Sequence, residues 1–426
     1  MLSAASRAPR YSWLIFGLLA AALFFVEFHR NSPAVLSLRL MADLKAGPAL
    51  IGLLASAYYY PYALMQLPTG LLADSWGPRR VVSLFFCLAG LGSIAFGLAP
   101  TSGLAIAARV VVGLGVSVIF VSTLKFLTRW FRPADYALMT GLFLSLGNLG
   151  GLFSAAPLAY LSQGMGWRGA SVAIGLATLV LALAMGFLLR NRPEEVGLSP
   201  LAETEEAGLA DPPVSLAGGV KLVVTSARFW AGAIWLMAGH SIFFALGGLW
   251  GGPYLMHVYN LSQAEAGRIL SFLYIGSITG SPLVSFVSDK VLFSRKKVIV
   301  GASVVMAGLM FIVAFFPDGL PRPALYLWCL LIGLFVYAPA VVCMTSIKEF
   351  FPLSIAGTAI GLANGLLFLG GAALHVLIGF ILEGWPQAGS AYPPQAYSQA
   401  FLVLGVSALI GLAAALGIKE TLARKE

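Results

Sequence analysis

Twelve stretches of roughly 20 predominantly apolar residues, separated by short polar turns, follow one another along this chain. A helix rises about 1.5 Å per residue and the hydrocarbon layer of a bilayer is about 30 Å thick, so each stretch has the length a membrane span requires. Helices bond their own backbone groups and can therefore stand in lipid. Spans are predicted at 12–38, 49–73, 80–99, 103–127, 134–160 and 168–189, and again at 229–257, 263–288, 298–316, 324–347, 355–382 and 399–418. Composition points the same way. Of 426 residues, 59% are hydrophobic and 10% charged, against about 45–50% and about 25% in an ordinary soluble domain. A water-soluble fold of this length has no interior large enough for so much apolar surface.

The longest polar stretch, 191–228, holds Glu194, Glu195, Glu203, Glu205, Glu206 and Asp211 with Pro212-Pro213 and Gly218-Gly219, which is the composition of a linker. It divides the chain into residues 1–190, the linker 191–228, and residues 229–426. An even number of spans puts both termini on one side. That side receives 18 of the 26 Lys and Arg residues; the opposite side receives Arg39, Lys45, Arg168, Arg268 and Arg322, while Arg30, Arg109 and Lys125 fall inside spans. The positive-inside rule therefore puts both termini and the linker in the cytoplasm. The net charge of +9 is a topology signal. Without a basic patch interleaved with aromatics, nucleic acid is not an expected partner. Cys87, Cys329 and Cys343 lie in apolar runs at no redox or metal spacing, so neither a disulfide nor a metal site is expected. No nucleophile–base pair or phosphate-binding loop is present, so neither an enzyme nor a cofactor is expected. The first apolar run, from about Trp13, lacks a signal-peptidase site and reads as a span rather than a cleaved leader.

The two sets of spans repeat. At an offset of 220, Gly113 maps to Gly333, Gly141-Leu142 to Gly361-Leu362 and Gly150-Gly151 to Gly370-Gly371; the Phe131-x-Pro133 turn maps within one residue to Phe350-x-Pro352. Parallel repeats of six spans are an architecture of transporters whose site lies between the halves.

After the second span the chain reads Gly70-Leu71-Leu72-Ala73-Asp74-Ser75-Trp76-Gly77-Pro78-Arg79-Arg80. This resembles the signature loop of the major facilitator superfamily, at the place where that family has it. Arg109-x-x-x-Gly113-x-Gly115 in the fourth span is similar to the family's second motif, and Gly166-Trp167-Arg168 and Arg192-Pro193-Glu194-Glu195-x-Gly197-Leu198 also resemble family segments. The resemblance implies an all-α membrane protein of twelve transmembrane helices in two pseudo-symmetric six-helix bundles. It also implies a gate built from Gly70, Asp74, Gly77, Arg79 and Arg80, with Asp74 facing helix N-termini and arginines of the other half. Ser75 and Pro78 replace basic residues of the motif, and the second half has Asp289 with Arg295, Lys296 and Lys297 but no matching glycines. Gating is thus expected to rest mainly on the first half.

Ionisable groups inside spans are costly and mark a cavity or a partner. Glu27, His29 and Arg30 lie near mid-depth in the first span. Arginine stays charged and grips a carboxylate with two hydrogen bonds. Two readings of Arg30 stand: a substrate contact, or a structural pair with Glu27 one turn away. Glu27 and His29 are candidates for carrying a proton, with a simple ion pair as the alternative for Glu27. A similar arginine occurs in organic-anion and phosphate-ester branches of the superfamily, and the flanking text resembles bacterial nutrient importers. The phosphate-ester branch carries a second arginine in the seventh span, which the stretch Gly239–Gly252 lacks. The family resemblance implies that Arg109 either couples protons or braces the fourth span, and Lys125 reads as a side chain that snorkels to the headgroups. Tyr59, Tyr62 and Gln66 at one-turn spacing suit a polar-solute cavity, and so do Asn148, His240 and Asn364, each of which reads equally as interhelical packing. His375 reads as a satisfied interhelical residue. The antiporter motif of the superfamily lacks its Gly-Pro pairing in span five.

The sequence thus predicts a secondary transporter of a small organic anion, amino acid or similar carboxylate. Its partners would be the solute, protons as coupling ion, and lipid. It would act as a monomer in a bacterial inner membrane, with both termini cytoplasmic. A multidrug or metabolite exporter of the same fold is the alternative.

Overall fold

The computed structural model describes residues 4–132, 135–197, 215–387 and 391–422 of the chain. These are overwhelmingly helical, with no strand among them. Proline cannot donate the helical hydrogen bond and its ring crowds the preceding turn. Span 1 accordingly consists of Ala4–Asn31 and, beyond a kink, Pro33–Leu44, six residues further than predicted. Span 2 is Pro48–Met65 followed by Pro68–Ser75, span 3 Pro78–Leu98, and span 4 Ser102–Val116 followed by Ile119–Trp130. Span 5 begins as Tyr136–Phe153 and resumes in Ala156–Leu188, a helical run that continues into span 6. Gly166 within that run has φ +70°, a conformation only glycine adopts without strain. The turn expected between spans 5 and 6 is therefore a glycine break without a loop. Spans 7 to 12 are Ala227–Val258, Gln263–Val291, Arg295–Phe315, Arg322–Glu349, Ser354–Glu383 and Pro394–Gly417. Length and apolarity alone single out ten spans among the described residues. Span 2 is not among them because the four tyrosines and two prolines of Pro48–Met65 dilute its apolar character.

Wide π-helical turns interrupt spans 7, 8 and 10, at Trp235–His240, Leu246–Trp250, Val287–Val291 and Gly333–Tyr337. Among the described residues spans 1 to 6 contain none.

The repeat is a repeat of contacts. A Cβ on Gly113 would stand 2.2 Å from the Tyr58 carbonyl oxygen, and one on Gly333 would stand 2.1 Å from that of Leu273. The same close approach thus joins span 4 to 2 and span 10 to 8. Gly150 against Phe24 and Gly370 against Met237, at 1.9 and 2.0 Å, likewise join span 5 to 1 and span 11 to 7. Without a hydrophobic force between helices in lipid, such backbone proximity is what holds spans together.

The two sets of six meet along spans 2 and 11 and along spans 5 and 8. Contact is closest at the ends away from Asp74. A Cβ on Gly252 would lie 1.7 Å from the Ala34 carbonyl oxygen, one on Gly52 2.4 Å from that of His375, and one on Gly379 2.6 Å from that of Pro48. The Glu383 carboxylate accepts a hydrogen bond from the Ala49 backbone N–H at 3.1 Å, an anion set on the N-terminus of span 2. On the Asp74 side, each ion pair among the described residues lies within one set of six. The seam is therefore shut on the side away from Asp74.

Of the predicted linker, helix Leu216–Val224 packs on span 11, with Gly219 beside Ile355 and Thr358. The acidic and proline cluster from Glu203 to Pro213 lies outside the described residues, as do Leu198, Pro133, Arg424 and Lys425.

Candidate functional site

A guanidinium within the hydrocarbon layer costs about 3 kcal/mol on insertion scales, so its surroundings must answer it. Arg30 Nη1 donates to Glu27 Oε1 at 2.7 Å. The guanidinium carbon lies 5.2 Å from the centre of the Tyr62 ring, 5.3 Å from Phe244 and 4.8 Å from Phe368. These rings come from spans 2, 7 and 11 and present their negative faces to the cation. Arg30 is 5% exposed, and its Nε has no hydrogen-bond partner among the described residues. The arginine thus points into the seam between the two sets of spans and keeps an unused donor there.

Tyr59 and Tyr62 both face this box. The Tyr62 ring lies 4.2 Å from Phe368, and Tyr59 lies 5.5 Å from Phe244 and 5.9 Å from Phe368. Their neighbours turn elsewhere: Tyr58 donates to the Val26 carbonyl at 3.1 Å and Tyr60 is exposed. Gln66 accepts from Asn364 Nδ2 across the seam at 2.8 Å. Asn148 accepts from the Tyr337 hydroxyl, also across the seam, at 3.0 Å. His240 Nδ1 sits 3.1 Å from the Val336 carbonyl oxygen, with its ring 5.4 Å from Phe244 and 5.1 Å from Tyr337. Arg30, Tyr59, Tyr62, Gln66, Asn148, His240 and Asn364 therefore border one seam. Some of them are already engaged with each other or with the backbone.

The three residues expected to carry protons do not stay together. Positions two apart on a helix diverge by about 200°. Glu27 faces Arg30, whereas His29 points into the first six spans, with Nε2 3.0 Å from Thr178 Oγ1. Arg109 donates to the His29 carbonyl at 2.8 Å and lies over the Tyr58 and Phe96 rings at 5.0 and 5.9 Å. It joins span 4 to span 1 behind Tyr58, away from the box.

The signature loop also differs from expectation. Among the described residues, Asp74 meets no charged or hydrogen-bonding group of the other half. Its Oδ1 accepts from Lys125 Nζ at 2.6 Å, and the same ammonium donates to the Gly70 carbonyl at 2.7 Å. Lys125 is thus an internal tie between spans 4 and 2 rather than a snorkelling side chain. Gly77, at φ +80°, turns the chain beside Asn191, which accepts from the Arg79 backbone N–H at 2.9 Å. The Arg79 side chain donates twice to the Gly186 carbonyl, at 3.1 and 2.7 Å, while Arg80 is exposed. All these partners lie N-terminal to span 7.

The second half is better equipped than its missing glycines suggest. Arg295 holds Glu349 with two hydrogen bonds of 2.7 Å each and Asp289 with a third of 3.1 Å. Ser294 donates to Glu420, and so does the Arg295 backbone N–H at 3.0 Å. Burial alone would raise the Glu420 carboxyl. The hydrogen bonds from Ser294 and from the backbone of Leu422, Arg295 and Thr421 outweigh it and hold that carboxyl below the usual range. A carboxyl depressed on folding adds stability above its unfolded pKa and loses it as pH falls through the folded one. Glu420→Gln is therefore expected to lower the midpoint of thermal unfolding at neutral pH, with the gap to the native protein closing on acidification below about pH 4. An equal gap at both pH values would contradict this.

The expectation for His375 does not hold: neither ring nitrogen has a partner among the described residues. Sequence reading also passed over Phe244, Phe368 and Tyr337, which wall the site. One signal was available for Phe368, since the 220-residue offset carries Asn148 onto it.

A sequence profile of the Major Facilitator Superfamily matches residues 13–373 and 242–425. The probable sulfoacetate transporter of Cupriavidus necator is 23% identical over 416 residues, 94% of this chain and 93% of that protein. A probable hexose phosphate transport protein of Chlamydia muridarum is 22% identical, covering 85% of this chain and 83% of its own. A membrane sensor protein of Escherichia coli is 23% identical, covering 87% and 85%. Among solved structures, a D-xylose–proton symporter gives a TM-score of 0.73 at 14% identity over 96% of this chain and 98% of that one. A bacterial homolog of the human lysosomal transporter Spinster, inward-facing and unoccupied, gives 0.72 at 16% identity over 96% and 95%. At such identities the structural likeness is one of fold.

Proposed function

Because the chain belongs to the major facilitator superfamily, and so is a multi-pass membrane transporter of small solutes rather than an enzyme, we propose that it carries a small organic anion, with Arg30 as the anchor of the carboxylate. The observation that carries this reading is the Arg30 guanidinium itself, ringed by three aromatics at the seam and holding an unpartnered Nε. A substrate carboxylate would take the free side of the fork, and Glu27 would accept a proton, so that the box keeps one cation against one anion. Tyr59, Tyr62, Gln66, Asn148, His240 and Asn364 would line the path. Two relatives are named for sulfoacetate and hexose phosphate, both organic anions. Span 7 has no lysine or arginine between Gly239 and Gly252, which favours a carboxylate or zwitterion over a phosphate ester.

In this reading residues 1–190 and 229–426 are two bundles that rock about the seam, joined by a cytoplasmic linker at 191–228. The protein works as a monomer in a bacterial inner membrane. The Asp74 side is cytoplasmic, and Gly70, Asp74, Gly77, Arg79 and Arg80 close it in the other state. His29 and Arg109 tie span 1 to span 4 and transmit the protonation of Glu27.

The test is uptake into proteoliposomes of labelled carboxylates, amino acids, sulfonates and cationic drugs. The expected result is uptake of one of the anionic or zwitterionic solutes, stimulated by an inward proton gradient that Glu27→Gln no longer exploits. Transport confined to cationic drugs would establish the exporter instead. The likeness to a membrane sensor protein gives a second reading weight, and saturable binding without flux would establish that one.

A further inference from the structure

Two turns along span 11 from the ring that covers Arg30, a second group of polar atoms lies unused. Tyr59 and His375 are both fully buried, with ring centroids 5.1 Å apart and planes inclined at 60°. Neither the Tyr59 hydroxyl nor either ring nitrogen of His375 has a hydrogen-bond partner among the described residues. Both side chains converge on the bare side of Gly248 in span 7. A Cβ there would stand 2.8 Å from Tyr59 Oη and 3.3 Å from His375 Nε2. The backbone around them is fixed: the His375 carbonyl accepts from Trp250 Nε1 at 3.0 Å and presses on Gly52. Buried polar groups are nearly always bonded, so two unbonded atoms facing one spot, Tyr59 Oη and His375 Nε2, call for a partner from outside the chain.

We propose that Tyr59, His375 and Gly248 form a second ligand pole that binds an oxygen function at the far end of the anion held by Arg30. The inference rests on the anion reading of Arg30 and narrows the cargo to organic acids with a distal hydroxyl or carbonyl. The chemistry fits. A neutral imidazole offers one donor and one acceptor and a phenol can do either, so a hydroxyl finds both kinds of partner. The spacing fits as well. Phe368, over Arg30, and His375 are seven residues apart on one helix, a separation of about 10 Å, which a carboxylate on a chain of four to six carbons bridges. The pole also lies where spans 2 and 11 close the seam, so a cargo long enough to reach it would contact the closing surfaces themselves.

Matched acids test the idea on the purified full-length protein: butanoate, pentanoate and hexanoate against 4-hydroxybutanoate, 5-hydroxypentanoate and 6-hydroxyhexanoate. The reading is the ratio of the two dissociation constants within each pair, which a general loss of affinity does not move. A site with buried polar groups rejects an analogue that leaves them unpaired, so the native protein is expected to prefer at least one hydroxy acid by about tenfold or more. The preference should vanish in His375→Leu, in Tyr59→Phe and in Gly248→Ala, whose methyl group fills the spot, and return in part with His375→Gln. Arg30→Ala should lose both members of each pair. Equal binding within every pair by the native protein overturns the inference while leaving the anion reading intact. So does a preference that persists in the Tyr59→Phe/His375→Leu double variant. Failure of the native protein to bind any of the six acids overturns both.

Discussion

Arg30→Ala is expected to reduce uptake of the anionic cargo at least a hundredfold. Two effects combine. The cargo loses a charge-assisted fork in a setting of low dielectric, where such bonds are strongest. Glu27, at 2.7 Å from Arg30 and 13% exposed, loses its counter-charge, and breaking a buried pair from one side costs about 3–5 kcal/mol. Because the second effect alone would damage the fold, the informative variant is the double one. Arg30→Ala/Glu27→Gln removes both charges and should recover most of the thermal stability lost by Arg30→Ala, yet remain inactive. Arg30→Lys keeps the charge but lacks the planar fork and should restore little. Uptake and unfolding midpoints measured on the three variants separate a ligand anchor from a structural pair, the two readings the sequence leaves open. Native rates in the double variant would reduce Arg30 to a structural residue.

Gly252→Val should arrest the transport cycle in the state where the seam is parted on the side away from Asp74. In the closed seam, even the first carbon of a side chain at this position would lie 1.7 Å from the Ala34 carbonyl oxygen. Both groups belong to helix backbone, so rotation of a side chain cannot relieve the overlap, and close-packed interiors do not absorb it. The expected outcome is loss of transport to below about a hundredth of the native rate, with the protein still folded. Spin labels at Lys45 and Gln387 should report a longer distance than in the native protein. A native distance with native transport would show that Gly252 does not control closure.

Much of the fold was legible because lipid imposes a single rule, one apolar helix per crossing. Every predicted span corresponds to a helix, and the 220-residue offset translates directly into paired glycine contacts at Gly113 and Gly333. The side-chain partners were less legible for a different reason. Whether Lys125 reaches Asp74 or the headgroups, and whether Glu349 and Glu420 meet around Arg295, depends on distances between helices that no local pattern encodes. Glu27 and His29 look like a pair in the text, yet helical geometry turns them apart. His375 looked ordinary because a lone histidine in a span normally finds a neighbour, and only the packing shows that this one has no hydrogen-bond partner among the described residues.

Both sets of spans are broken helices, but the breaks differ in kind: spans 1, 2, 4 and 5 are interrupted, whereas spans 7, 8 and 10 run on through π turns. A widened turn replaces regular backbone bonds with longer or poorer ones and bends more readily than the helix around it. When the halves move, strain will collect at these turns of the second set. Three of its soft points, at 235–240, 246–250 and 333–337, carry His240, Gly248 and Tyr337. On the proposed reading, the wall that would touch the cargo is thus also a part of the machine that yields.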